Sequence, residues 1–88
     1  MMEIELKLFG AFREFEPSGS VRLIVPSDAD VAALRQALDH YAQQNWGAAY
    51  KPGLLKVSAF SNDAELLRDH SRVADQKGLA LLPPVSGG

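Results

Sequence analysis

Side chains able to do acid–base, nucleophilic or metal chemistry are sparse in this sequence. There are two histidines, His40 and His70, each set among polar residues where plain solvation accounts for it. Neither has companions at metal-ligand spacing, so no metal site is expected. Glu14 with Glu16, and Asp28 with Asp30, are carboxylate pairs in sequence only. Turn and capping roles explain them better than general acid–base catalysis. Cysteine is absent, which removes thiol nucleophiles, thiolate metal sites and disulfides together. Gly10 and Gly47 stand outside any phosphate-cradling glycine loop.

One reactive stretch remains, the ending Pro83-Pro84-Val85-Ser86-Gly87-Gly88. Two prolines hold an extended backbone and force Leu82 out of the helical region, so the chain is aimed away from the body. Six extended residues reach roughly 20 Å. Gly87 and Gly88 lack a Cβ and can enter a channel too narrow for any other residue. The α-carboxylate at the end is ionised at neutral pH, its pKa being about 3.3–3.7. Such a group can attack the α-phosphate of ATP on another enzyme, giving an acyl adenylate that a sulfur nucleophile or a lysine then displaces. The carrier itself needs no acid, base or metal for this.

The body that must present this arm is small. Eighty-eight residues make one domain, too short for a deep internal catalytic cavity. The charge is balanced, 9 Lys+Arg against 11 Asp+Glu, with no run of one sign. A nucleic-acid groove or an acidic membrane partner needs clustered basic residues, so neither is expected. The start MMEIELKLFG has no signal-peptide pattern, and no apolar run approaches a membrane span. A cytoplasmic protein is the expectation.

Alternation predicts strands over Glu3–Phe9, Ser20–Val25, Leu55–Phe60 and Leu79–Leu82. Pro17-Ser18-Gly19 reads as a turn, Pro26 stops the second strand, and 47–53 reads as a loop with a Pro52-Gly53 turn. Asp30 is the chosen N-cap of one amphipathic helix, whose apolar stripe is Val31, Leu34, Ala37, Leu38, Tyr41 and Ala42. Gln43-Gln44-Asn45 and Gly47 mark its end. Residues 64–78 stay undecided between strand and helical turn. One helix covers one face of a sheet, which is an α+β two-layer arrangement. On strand parity, Phe9, Phe60 and Leu82 point away from that helix.

These residues bring a family into view. The ending ALLPPVSGG (Ala80 to Gly88), with FGAFRE (Phe9 to Glu14) after the first strand, resembles the small subunit of molybdopterin synthase. That family has a ubiquitin-like β-grasp fold, so the resemblance implies a mixed four- to five-stranded sheet with one main helix. It divides the chain into a domain at 1–82 and a tail at 83–88. It implies a sulfur carrier for molybdenum cofactor biosynthesis, whose Gly88 is adenylated by an E1-like activating enzyme using ATP. A sulfur donor converts it to a thiocarboxylate, and the large synthase subunit takes the sulfur for a pterin precursor. No cofactor is bound by the carrier, and a heterotetramer is the implied assembly. Carried over, Gly88 is the reactive residue, Gly87 gives clearance, and Pro83, Pro84, Val85 and Ser86 form the inserted arm. Phe9, Arg13 and Leu82 match partner-contacting positions, as does Leu66, with Phe60 added by parity. Ahead of the last strand the chain reads Asp75-Gln76-Lys77-Gly78-Leu79-Ala80, where the family commonly has Asp-Gly-Asp-Glu-Val-Ala. Three alternatives stay open: a sulfur carrier for thiamine or cysteine synthesis, a protein modifier joined to lysine through Gly88, and a plain interaction domain.

Overall fold

The computed structural model describes residues 1–84. Period-two alternation builds the first two strands, β1 (Met2–Leu8) and β2 (Ser20–Val25), which pair antiparallel with Leu6 opposite Val21 and Ile4 opposite Leu23. Their inward row, Leu6, Leu8, Val21, Leu23 and Val25, is buried, while Glu3, Glu5 and Lys7 face solvent. Between them the chain makes a single helical turn, α1 (Phe12–Phe15), where the sequence reading had no element. It forms because burying the Phe12 side chain completely outweighs the weak propensity of so short a helix.

The expected helix is α2 (Val31–Asn45), and Asp30 caps it: its Oδ1 accepts from the Ala33 N–H at 2.8 Å. Two further N-terminal donors, the N–H groups of Val31 and Ala32, bond the carbonyls of Ser71 and Asp69. Val31, Leu34, Leu38 and Ala42 form its buried stripe. The helix ends at Trp46, and Gly47 follows in the left-handed region at φ +69°.

The third apolar run departs from the expected strand. Pro52 occupies the first turn of a short helix, α3 (Pro52–Lys56), and the strand begins only afterwards as β3 (Ala59–Ser61). Proline's fixed φ and missing N–H suit a helix start as well as a turn. The helix resets the parity, so Val57 is exposed and Phe60 points into the core.

β4 (Ala80–Leu82) lies in the middle of the sheet, parallel to β1 and antiparallel to β3, giving the order β2-β1-β4-β3. The result is the expected mixed four-stranded sheet with α2 on one face. In the undecided segment, Leu66 bridges Ser61, and the Leu67 N–H donates to the Phe60 carbonyl. A 3₁₀ turn at Val73–Asp75 then buries Val73. Among the described residues, no helix is long and apolar enough to cross a membrane.

Candidate functional site

β4 delivers the candidate arm from the centre of the sheet. Its parallel register, Lys7 with Ala80 and Leu8 with Leu81, carried forward puts Phe9 level with Leu82 and Gly10 level with Pro83. Leu82 and Pro83 are half-buried and Pro84 is exposed. Val85, Ser86, Gly87 and Gly88, expected to be the working end, lie outside the described residues.

The outer face of the sheet surrounds this root. Side chains alternate along each strand, so Leu82 and Ala59, paired across β4 and β3, both face outward. Leu66, opposite the outward Ser61, shares that side and is 62% exposed; Phe9 is 41% exposed. Phe9 and Leu82 are therefore placed side by side at the foot of the arm, with Leu66 on the same face beyond Ala59 and Ser61. Arg13, on α1, is exposed, and with Lys7, Phe9, Ser18 and Ser20 it lines a surface hollow of about 290 Å³. Glu5, Lys7 and Arg13 put charge of both signs around that hollow.

Phe60 corrects the sequence expectation. It is 0% exposed, pairs with Leu81 on the inner face, and lies under α2, whose Arg35 guanidinium sits 5.0 Å from its ring centroid. It cannot contact a docking partner. The parity count failed because α3 shifted the strand phase by one residue.

Two features had no sequence reading. Gly10 has φ +58°, and a Cβ added there would meet Pro83 Cγ at 2.6 Å. Its only sequence signal is a glycine placed directly between a strand and the α1 turn. The second is an aromatic cluster behind α1. Phe15 stacks on Trp46 at 4.9 Å, and the Glu16 Oε1 accepts from the Tyr41 hydroxyl at 2.5 Å and from the Trp46 indole N–H at 3.1 Å. The hydrogen bond to Glu16, reinforced by burial and the carboxylate charge, pushes the Tyr41 phenol up to about 12. No sequence pattern links residues so far apart.

Among the described residues, no group of three or more His, Asp or Glu could hold a metal ion, and every buried side-chain polar atom has a partner. His40 and His70 are both exposed. What the described site offers is a partly apolar outer face beside the half-buried Leu82 and Pro83.

A mixed four-stranded sheet grasping one long helix, with the last strand central, defines a ubiquitin-like β-grasp protein. The model of the ThiS family matches residues 6–88, and the chain belongs to that family of ubiquitin-like sulfur carriers. No curated protein matches it. Among solved structures it is similar to SAMP1 from Haloferax volcanii, at 32% identity and a TM-score of 0.67. That match covers 99% of this chain and 100% of the other. A second structure, of H. volcanii small archaeal modifier protein 1, matches at 28% identity and a TM-score of 0.65, covering 97% and 100%.

Proposed function

We propose that this protein carries sulfur for the dithiolene of the molybdenum cofactor. The ending ALLPPVSGG, rooted in β4 beside the outward Phe9 and Leu82, carries this reading. An adenylating partner binds the outer sheet face and receives the arm. The Gly88 carboxylate attacks the α-phosphate of ATP, releasing pyrophosphate, and a sulfur donor displaces AMP to leave a thiocarboxylate. The carrier then docks its arm in the large subunit of molybdopterin synthase, where the sulfur passes to the pterin precursor and the carboxylate returns. The carrier supplies recognition and reach, and the partners supply the catalytic groups. Membership of the ThiS family supports the sulfur-carrying half of this reading.

Intact-mass measurement after incubation with ATP, the cognate activating enzyme and a sulfur source tests it. One oxygen-for-sulfur exchange is expected, lost when Gly88 is deleted or the chain is extended. Capture of the synthase large subunit by the loaded carrier separates the molybdenum route from thiamine or cysteine synthesis. No exchange with an enzyme shown to be active sinks the carrier reading.

A second reading is a protein modifier, favoured by the similarity to small archaeal modifier protein 1 along essentially the whole chain. A lysine amine would then displace AMP in place of sulfur, giving an isopeptide bond. Gly88-linked conjugates on cellular lysines, abolished by deletion of Gly88, are the expected sign.

A further inference from the structure

We propose that Gly10 is a positioning residue whose missing side chain forms a seat for the Pro83 ring. The seat sets the direction in which the chain leaves the sheet after Leu82. The consequence for Gly88 rests on the carrier reading above; the seat itself does not.

Register brings the two residues together, because the β1–β4 pairing carried past Leu8–Leu81 makes Gly10 level with Pro83. Space then selects glycine. A Cβ on Gly10 would lie 2.6 Å from Pro83 Cγ and 3.5 Å from Cδ. The proline ring cannot swing aside, because it is fused to a backbone whose φ is fixed. Gly47 provides the contrast: its φ of +69° makes the same backbone demand, yet nothing lies within 4 Å of its would-be Cβ. Gly10 therefore answers two constraints where Gly47 answers one.

The seat is backed by the core. The Phe12 and Arg13 N–H groups donate to the carbonyls of Phe9 and Gly10, closing the turn into α1. Phe12 is fully buried, Phe15 stacks on Trp46, and Glu16 accepts two hydrogen bonds from α2 and its C-cap. On the far side of β4, Leu82 is held by its pairing with Ala59. With φ fixed at Pro83, placing the ring leaves only the ψ of Pro83 to set where Pro84 begins. A carboxylate oxygen must meet the α-phosphate of ATP in line with the departing pyrophosphate, and a misplacement of about 1 Å in such a reaction costs on the order of 10²-fold.

The test combines a thermal cycle with loading kinetics on the full chain. Gly10→Ala and Gly47→Ala are compared in the native background and with Pro83→Ala, which keeps only the ring atom 3.9 Å away. The expected result is a larger Tm loss for Gly10→Ala than for Gly47→Ala, with the excess gone when Pro83 is alanine. Loading is measured with the cognate adenylating enzyme, ATP and hydrosulfide. Gly10→Ala should lower kcat roughly tenfold with unchanged docking affinity, while Gly47→Ala loads like the native chain. Equal Tm losses for the two variants overturn the seat. Native kcat in Gly10→Ala overturns the positioning role while leaving the carrier reading intact. A native chain that takes no sulfur from a proven enzyme overturns the carrier reading and the role at Gly88 with it, and the thermal cycle still decides the seat.

Discussion

The Arg35 guanidinium lies over the Phe60 ring, 5.0 Å from its centroid, while its Nη1 donates to the carbonyls of Leu55 and Ser58 at 2.7 and 2.8 Å. One side chain of α2 thus closes the end of α3 and roofs the strand that pairs with β4. The nearby contact to the exposed Asp69, at 3.8 Å, adds little, because exposed ion pairs are largely screened.

Arg35→Ala is expected to cost about 2–3 kcal/mol, since it removes a charged donor from two carbonyls and the cation from an aromatic face. Arg35→Lys should recover only part of this, because a single ammonium cannot reproduce the planar fork. Urea unfolding of the three proteins measures it. An Arg35→Ala variant as stable as the native chain would show that the Leu55 and Ser58 carbonyls are served equally well by water.

Phe60→Ala and Phe9→Ala should separate stability from recognition. The first opens a cavity in the core and is expected to cost about 3–5 kcal/mol. Phe9→Ala and Leu66→Ala change exposed surface and should stay within about 0.5 kcal/mol. On the carrier reading those two variants weaken docking to the activating enzyme, each by about tenfold, a loss of roughly 1.4 kcal/mol. Calorimetric titration reads the affinity, and unchanged affinity in both variants would remove the outer face from the interface.

The parts of this fold legible in the sequence are those where a period repeats long enough to be counted. β1 and β2 alternate over a full strand each, and the stripe of α2 begins one residue after Asp30, whose capping bond is present. β3 spans three residues, too few for alternation to set a phase, and Leu54-Leu55-Lys56-Val57 fits a helical turn as well as a strand. Phe60 was misplaced for that reason alone. At the site, the composition of the ending announced the arm, whereas the Gly10–Pro83 contact depends on a parallel register that no local pattern encodes.

The cap makes a smaller, cleaner test. Asp30→Ala leaves the Ala33 N–H without its side-chain acceptor and is expected to cost about 1 kcal/mol, with Asp30→Ser recovering most of it. The midpoint of urea unfolding should move while the slope stays constant. A changed slope would mean that the substitution altered the unfolded ensemble instead of the helix end.

Alkaline pH should act through the two tyrosines, which are the only phenols in the chain. Hydrogen bonding to Glu16 raises Tyr41 from 10.0 to about 12, and burial, with a 2.6 Å hydrogen bond to Asp39, raises Tyr50 further. In both cases the folded pKa lies above the unfolded one, so the neutral phenol is the form the fold favours. Their contribution is complete below pH 10 and is lost progressively as pH climbs through 10 towards 12 and beyond. Spectroscopic titration of the folded chain should accordingly show no phenolate appearing near pH 10. Tyr41→Phe should be less stable at neutral pH by about 1 kcal/mol, yet lose less on going to alkaline pH, so the two stability curves converge. If Tyr41 ionised at its ordinary value in the native protein, its bond to Glu16 would not be held in solution. The backing of the Gly10 turn would then rest on the buried Phe12, the Phe15 stack and the Trp46 bond to Glu16.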